Sequence, residues 1–254
     1  MGEFIKLEKK DHISIVTMEH APVNAANRQF YQEMTETFDA IGADGNCRVA
    51  ILRSAYEKYW CAGNDVKDFE GMTPDNGHIR HRVVYNSFIA VYDCAVPVIA
   101  AIDGYCLGTG LAYASVCDII FATGRAVIGA PEITVGVMGA GKFLSRMVPQ
   151  FVMRRMIYNG DKVSAAELEK WGCLRVVLPA KLMDVAMEQA NLISGKCPST
   201  MRLNKEALNR IEFVDLKTGY AVEQSYTRRA SAYEDSKEAQ RAFFEKRAPV
   251  FRGR

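Results

Sequence analysis

The sequence offers little to metal chemistry. Only four histidines occur in 254 residues, none at ligand spacing, and the seven cysteines include no CxxC pair. A structural or catalytic zinc is therefore not expected. Long apolar runs are missing too: the longest, VPVIAAI at 96–102, is far too short to span a bilayer. Nor is there an excess of charge, since 32 basic against 30 acidic residues leave a formal +2. Bulk electrostatics thus point to neither nucleic acid nor a membrane surface. The opening MGEFIKLEKK alternates apolar and charged residues like an edge strand and has no apolar signal-peptide core. Lys6 argues against myristoylation, and the closing FRGR is neither a prenylation box nor a peroxisomal address. The odd number of cysteines, mostly in apolar surroundings, suggests reduced, buried thiols. A soluble, cytoplasmic protein is expected.

Apolar residues make up 49% of the chain, enough for one large core with a small appendage. Strand patterns occur at 4–9, 12–19, 49–54, 96–102, 118–123 and 126–129. Helical patterns interleave with them, at about 26–43, at about 79–93 and just after Gly108. The alternation marks an α/β fold, and the first two strands suit a hairpin. SAAELEKWG at 164–172 carries a capping box and a closing glycine. A brief strand follows at 174–179, then helices at roughly 180–195, 199–211, 215–233 and 236–247. The division expected is an α/β core over 1–195 and a helical region over 196–254. Apolar stripes on that tail, with no sheet beneath them, suit contact with another subunit.

Three stretches can carry chemistry. In WCAGNDVKDF (60–69) and AIDGYCLGTG (101–110) a strand runs into a glycine turn and then a helix. Each turn presents a bare backbone N–H, that of Asn64 in the first and of Thr109 in the second. Facing one another, they would make a two-donor pocket for a developing oxyanion. The alternative for the second is simple close packing by Gly and Ala; for the first, a solvated Asp65–Lys67 pair on a loop. The third stretch, GAPEITVGVMGAG (129–141), sets Glu132 among small and apolar residues. That carboxylate is either a structural cap or a base in a dry pocket.

Taken together the stretches resemble the crotonase superfamily, the enoyl-CoA hydratase/isomerase family. The likeness includes PVNA (22–25), AGNDVKDF (62–69), PVIAAIDGYCLGTG (97–110), CDIIFA (117–122), GAPEITVGVMGAG (129–141), AAELEKWGCLRVVLP (165–179) and FFEKRAPVFRGR (243–254). The resemblance implies a core of repeated ββα units with a C-terminal helical region that builds homotrimers, often paired into hexamers. It implies that the N–H groups of Asn64 and Thr109 polarise a thioester carbonyl. Lys67 matches a position near the coenzyme A phosphates, Ala62 lies where the backbone meets adenine, and Phe243 and Lys246 match C-terminal nucleotide contacts. Coenzyme A would enter as part of the acyl-CoA substrate, with no separate cofactor.

The departures are chemical. Family hydratases carry two glutamates; the second is Glu132, but the first falls at Ala112. The usual glycine at the second donor is Thr109, and an aspartate found in some relatives falls at Ala140. One base suffices for a proton shift along an acyl-CoA, whereas hydration asks for a second group to orient water. An isomerase-type reaction is therefore expected ahead of efficient hydration. Hydrolytic C–C cleavage of a β-keto acyl-CoA is an alternative, as is a non-catalytic ligand- or RNA-binding protein. Tyr105, Tyr113 and the Thr109 hydroxyl are possible auxiliary donors, packing being the commoner role. The acyl pocket is expected from 68–90 and the helices after Gly141, with Lys142 and Arg146 as possible contacts. The basic pairs 154–155 and 228–229 read as solvated faces, so nucleic-acid binding is not expected.

Overall fold

The computed structural model describes residues 2–253. Along the chain these are β1 (Ile5–Lys10), β2 (Ile13–Met18), β3 (Ala25–Ala26), α1 (Arg28–Ala43), β4 (Val49–Ser54), β5 (Tyr59–Cys61), β6 (Gly63–Asn64), α2 (Gly77–Tyr92), β7 (Val98–Ile102), β8 (Tyr105–Leu107) and α3 (Thr109–Val116). There follow β9 (Ile119–Thr123), β10 (Val127–Gly129), α4 (Gly141–Met147), α5 (Gln150–Asn159), β11 (Lys162–Ser164), α6 (Ala165–Lys170), β12 (Arg175–Val177), α7 (Leu182–Ser194), α8 (Pro198–Ile211), α9 (Leu216–Ala230) and α10 (Glu234–Phe244).

The six-stranded sheet has the order β1-β2-β4-β7-β9-β12. Only the β1–β2 hairpin is antiparallel, turning at Asp11 with φ 53°; the other pairings are parallel. Parallel strands need cover on both faces. On one face Leu52, Val98, Ala100 and Ile102 meet α1, α2 and α3; on the other Ile51, Ile99 and Ala101 meet Leu182, Ala186 and Ala190 of α7. This is why all five residues of β7 are buried. A second sheet has the order β11-β10-β8-β5, and β3 pairs with β6 as a two-stranded ribbon.

Local signals explain the elements. The Asn27 side chain caps α1 by accepting from the Phe30 N–H, and Phe30, Met34, Phe38 and Ile41 form its buried stripe. The capping box of α6 is present, with Ser164 and Glu167 bonded reciprocally. All eight residues of α3 are buried. Its Gly110 is needed because a Cβ there would lie 2.7 Å from the Cys61 carbonyl oxygen. Five of the seven cysteines are buried and all are free; burial pushes the Cys94 thiol up to about 11. No helix is long and apolar enough to cross a membrane, among the described residues.

After α7 the chain leaves the sheet. Helices α8 and α9 share a small apolar cluster of Leu203, Ala207 and Tyr226. An ion pair with a buried lysine ties this tail to the sheet. Lys205, 5% exposed, donates to both Asp118 oxygens at 2.6 and 2.7 Å, and Asp118 also accepts the Val98 N–H at 2.7 Å. Removing one partner of such a pair strands the other. Since Asp118 is one-quarter exposed, Lys205→Ala should cost about 3 kcal/mol, the low end for buried pairs. Urea unfolding monitored by circular dichroism checks this; a loss near zero would show the pair to be decorative.

Candidate active site

The three stretches converge because two backbone turns meet without side chains between them. Gly63 (φ 114°) leads β6 into Asn64, and Gly108 (φ 52°) leads β8 into α3. A Cβ on Gly108 would stand 3.6 Å from the Gly63 Cα and 2.7 Å from Glu132 Oε1. Asn64, Thr109 and Glu132 therefore surround one point. Thr109 opens α3, so its N–H has no acceptor within the helix and sits at the positive end of the helix dipole.

Asn24, which the sequence showed only as part of a turn, holds the first loop in place. It is fully buried in the left-handed region (φ 54°). Its amide donates to Ser54 Oγ at 2.9 Å and the Trp60 carbonyl at 3.0 Å, while its Oδ1 accepts from the His20 N–H at 2.7 Å. This fixes β3, against which β6 pairs. Asp65 caps the next turn by accepting from the Lys67 N–H, and the Lys67 side chain is exposed.

Glu132 lies in the 3-10 turn Pro131–Val135, which the Val137 N–H closes onto the Glu132 carbonyl at 3.1 Å. Its Oε2 is buried with no hydrogen-bond partner, and burial pushes the carboxyl above the usual carboxylate range. Lys142, the next cation in sequence, does not neutralise it: Lys142 Nζ sits 3.6 Å over the Phe213 ring. Arg146 is likewise engaged elsewhere, with Glu212 and the Ser115 carbonyl.

A web of side chains joins the two donor residues. The Tyr31 hydroxyl donates to Asn64 Oδ1 at 2.5 Å, and the Thr109 hydroxyl, 2.7 Å away, donates to Tyr31. Arg80 Nη2 adds a second donor to Asn64 Oδ1 at 2.6 Å. The Thr109 hydroxyl is thus already committed. Tyr113 is buried against Phe88 and bonded to Ser87, and Tyr105 packs on Tyr59, so both pack rather than face the site.

Two cavities meet at this point. One, of about 400 Å³, is walled by Phe69, Met72, Val84, Phe88 and Phe143, with Arg80 and His81 at its side. Its walls come from 68–90 and from Phe143 of α4, the segments from which the acyl pocket was expected. The other, of about 390 Å³, runs past Ala62, Gly63, Val66 and Thr134. Both are lined by Asn64, Gly108 and Glu132. Phe243 and Lys246, at the end of α10, are exposed and line neither. A larger groove of about 830 Å³ between core and tail contains none of these residues.

The enoyl-CoA hydratase/isomerase family profile matches residues 8–254. The chain belongs to that family. Among family members, a hydrolase of (7aS)-7a-methyl-1,5-dioxo-2,3,5,6,7,7a-hexahydro-1H-indene-carboxyl-CoA from Rhodococcus jostii is 38% identical over 220 residues, covering 85% of this chain and 84% of that one. The Mycobacterium tuberculosis protein of the same name is 36% identical over 217 residues, covering 85% and 87%. A short-chain-enoyl-CoA hydratase from Clostridium acetobutylicum is 32% identical, covering 95% and 94%. The crystal structure of an enoyl-CoA hydratase from Bacillus anthracis superposes with a TM-score of 0.93 at 29% identity, covering 99% of this chain and all of that one. The crotonase fold expected from sequence is thereby shown. Ala112, at the expected first-glutamate position, and Ala140, at the expected aspartate position, both line the first cavity with methyl groups, and Glu132 is its one carboxylate among the described lining residues.

An acid whose folded-state pKa is raised favours folding while protonated and loses that contribution as pH rises. At neutral pH an ionised Glu132 therefore works against folding. Glu132→Gln should raise the melting temperature at pH 7, and the gain should shrink towards about pH 4, where Glu132 is itself protonated. Differential scanning fluorimetry across pH checks it; a variant less stable at pH 7 would contradict the dry-pocket assignment.

Proposed function

We propose that this protein is an acyl-CoA enzyme that cleaves a C–C bond of a β-keto acyl-CoA by adding water, with Glu132 as its base. The observation that carries the reading is one half-buried, unpartnered carboxylate at the junction of two cavities, without a second beside it. The resemblance to the two indene-carboxyl-CoA hydrolases favours cleavage over the isomerase-type shift placed first on sequence grounds.

In this scheme Glu132 takes a proton from water as the water oxygen attacks the ketone carbon. The bond from that carbon to the thioester's α-carbon breaks, and its electron pair passes into the thioester enolate. The N–H groups of Asn64 and Thr109 hold the enolate oxygen, each worth roughly 3 kcal/mol by analogy with oxyanion-hole deletions. Glu132 then returns its proton to the α-carbon, leaving a carboxylic acid and a shortened or ring-opened acyl-CoA. One base serves both transfers, so Ala112 and Ala140 cost nothing here. We propose that the nucleotide part of coenzyme A runs along the second cavity past Ala62, with the exposed Lys67, Phe243 and Lys246 as further contacts outside it. Assembly into trimers or hexamers is part of the same proposal, supported by exposed Phe213, Leu216 and Phe244 on the tail.

A 3-enoyl to 2-enoyl proton shift remains the second reading, favoured by the apolar wall of Phe69, Val84, Phe88 and Phe143. Turnover of a cyclic β-keto acyl-CoA in H₂¹⁸O should place one ¹⁸O in the new carboxylate, and Glu132→Gln should lower kcat by about 10²–10⁴ with ester binding retained. Migration of the double bond of 3-hexenoyl-CoA without cleavage of the keto ester would instead establish the isomerase. Ala112→Glu, placing a second carboxylate in the acyl cavity, should raise hydration of crotonyl-CoA; a folded variant with no gain would show that a missing acid is not what limits hydration.

A further inference from the structure

Arg80 is a guanidinium with most of its hydrogen-bonding capacity unspent. It projects from the first turn of α2 into the wall of the acyl cavity, and its side chain is only 16% exposed. Of its five N–H groups, Nη2 donates to Asn64 Oδ1. Nε is buried and has no acceptor. The nearest carboxylate oxygen, Asp68 Oδ2, lies 4.0 Å from Nε, beyond hydrogen-bond reach, and is itself buried and unpartnered. The guanidinium face rests 4.3 Å from the Phe69 ring centroid, which orients the plane without satisfying a donor. Buried donors are ordinarily bonded; the guanidinium that leaves this one open belongs to a residue lining the cavity, where its remaining N–H groups can meet a ligand acceptor.

We propose that Arg80 binds a ketone oxygen on the substrate's acyl group, close to the thioester. This rests on the C–C cleavage reading and names the substrate feature that the same site selects. Two observations set the chemistry of the acceptor. The first is charge: Asp68 already balances Arg80, so a neutral carbonyl fits there with less repulsion than a second carboxylate. The second is position. Arg80 is bonded to the side chain of Asn64, which with Gly108 and Glu132 lines both cavities, so the guanidinium reaches oxygen near that junction rather than at the far end of a chain. When water attacks that ketone, negative charge collects on the oxygen that Arg80 holds, and a fixed cation there lowers the barrier to attack as well as binding the ketone.

The test is isothermal titration on the Glu132→Gln protein, in which no turnover consumes the ligand. The probes are 3-oxohexanoyl-CoA, hexanoyl-CoA and adipoyl-CoA, which carry a ketone, neither group, and a distal carboxylate. The 3-oxo ester should bind about tenfold or more tighter than the saturated one, as expected for hydrogen bonds to a charged donor. Adding Arg80→Met should abolish that ratio while changing hexanoyl-CoA binding less than twofold, and Arg80→Lys should keep part of it. Equal weakening of all three esters would show that Arg80 only braces Asn64, and an unchanged ratio would remove Arg80 from recognition; either overturns the proposal. So would Arg80-dependent binding of adipoyl-CoA in preference to the ketone, which would make the site one for anions. Cleavage by the otherwise native enzyme is assayed separately. Ketone preference without cleavage would sink the proposed reaction alone, and cleavage without an Arg80-dependent preference would sink this inference alone.

Discussion

The site depends on a contact between two stretches of main chain. Gly63 and Gly108 both take a positive φ that side-chain-bearing residues rarely adopt, and a Cβ on Gly108 would also meet the Glu132 carboxylate at 2.7 Å. Sheet pairing brings the stretches together, since β6 is pinned to β3 and β8 is gripped between β10 and β5. The core then has one main task with respect to function, which is to stop these loops from drifting. The buried amide of Asn24 and the close packing of Gly110 on Cys61 both serve it. An oxyanion pocket of backbone N–H groups is only as good as its rigidity, because donors that reorganise during reaction stabilise little.

Around that contact the chain has replaced backbone simplicity with side chains. Where family hydratases place glycine, Thr109 brings a hydroxyl that is used up at once by Tyr31, and Tyr31 in turn engages Asn64. The two donor residues, 45 positions apart in sequence, are thus joined through a phenol on α1. The first cavity meanwhile is lined by Ala112 and Ala140, with Arg80 at its side and Glu132 as its one carboxylate among the described lining residues.

The longer elements were legible in the sequence because their signals are local. The β7 run, the apolar stripe of α1 and the capping box of α6 each lie within a few residues, and so do the two glycine turns. The two-residue strands Ala25–Ala26 and Gly63–Asn64 were not legible as strands, since no periodicity exists in so short a segment. Helices α4 and α5 were noted only as unspecified helices after Gly141. Among site residues, Glu132, Asn64 and Thr109 stood out because each sits in or beside a glycine turn. Tyr31 and Arg80 did not. On α1 and α2 they look like ordinary helix residues, and only their partners at 64, 68 and 109 distinguish them. Asn24 was hidden for the same reason, its three partners being supplied by β2, β4 and β5 or their flanks. Lys142, named as a possible contact of the acyl pocket, is turned onto Phe213 of the tail, a partner distant in sequence.

The Lys205–Asp118–Val98 junction bears on how the molecule comes apart. Its lysine belongs to the tail, its carboxylate to the start of β9 and its amide to the start of β7, the strand that leads into the second glycine turn. Detaching α8 would expose a carboxylate that still holds the sheet's central strand, and would remove the cation that offsets its charge. Tail and sheet are therefore bound into one cooperative unit at that point, so local opening of the tail would reach the strand that carries the active-site turn.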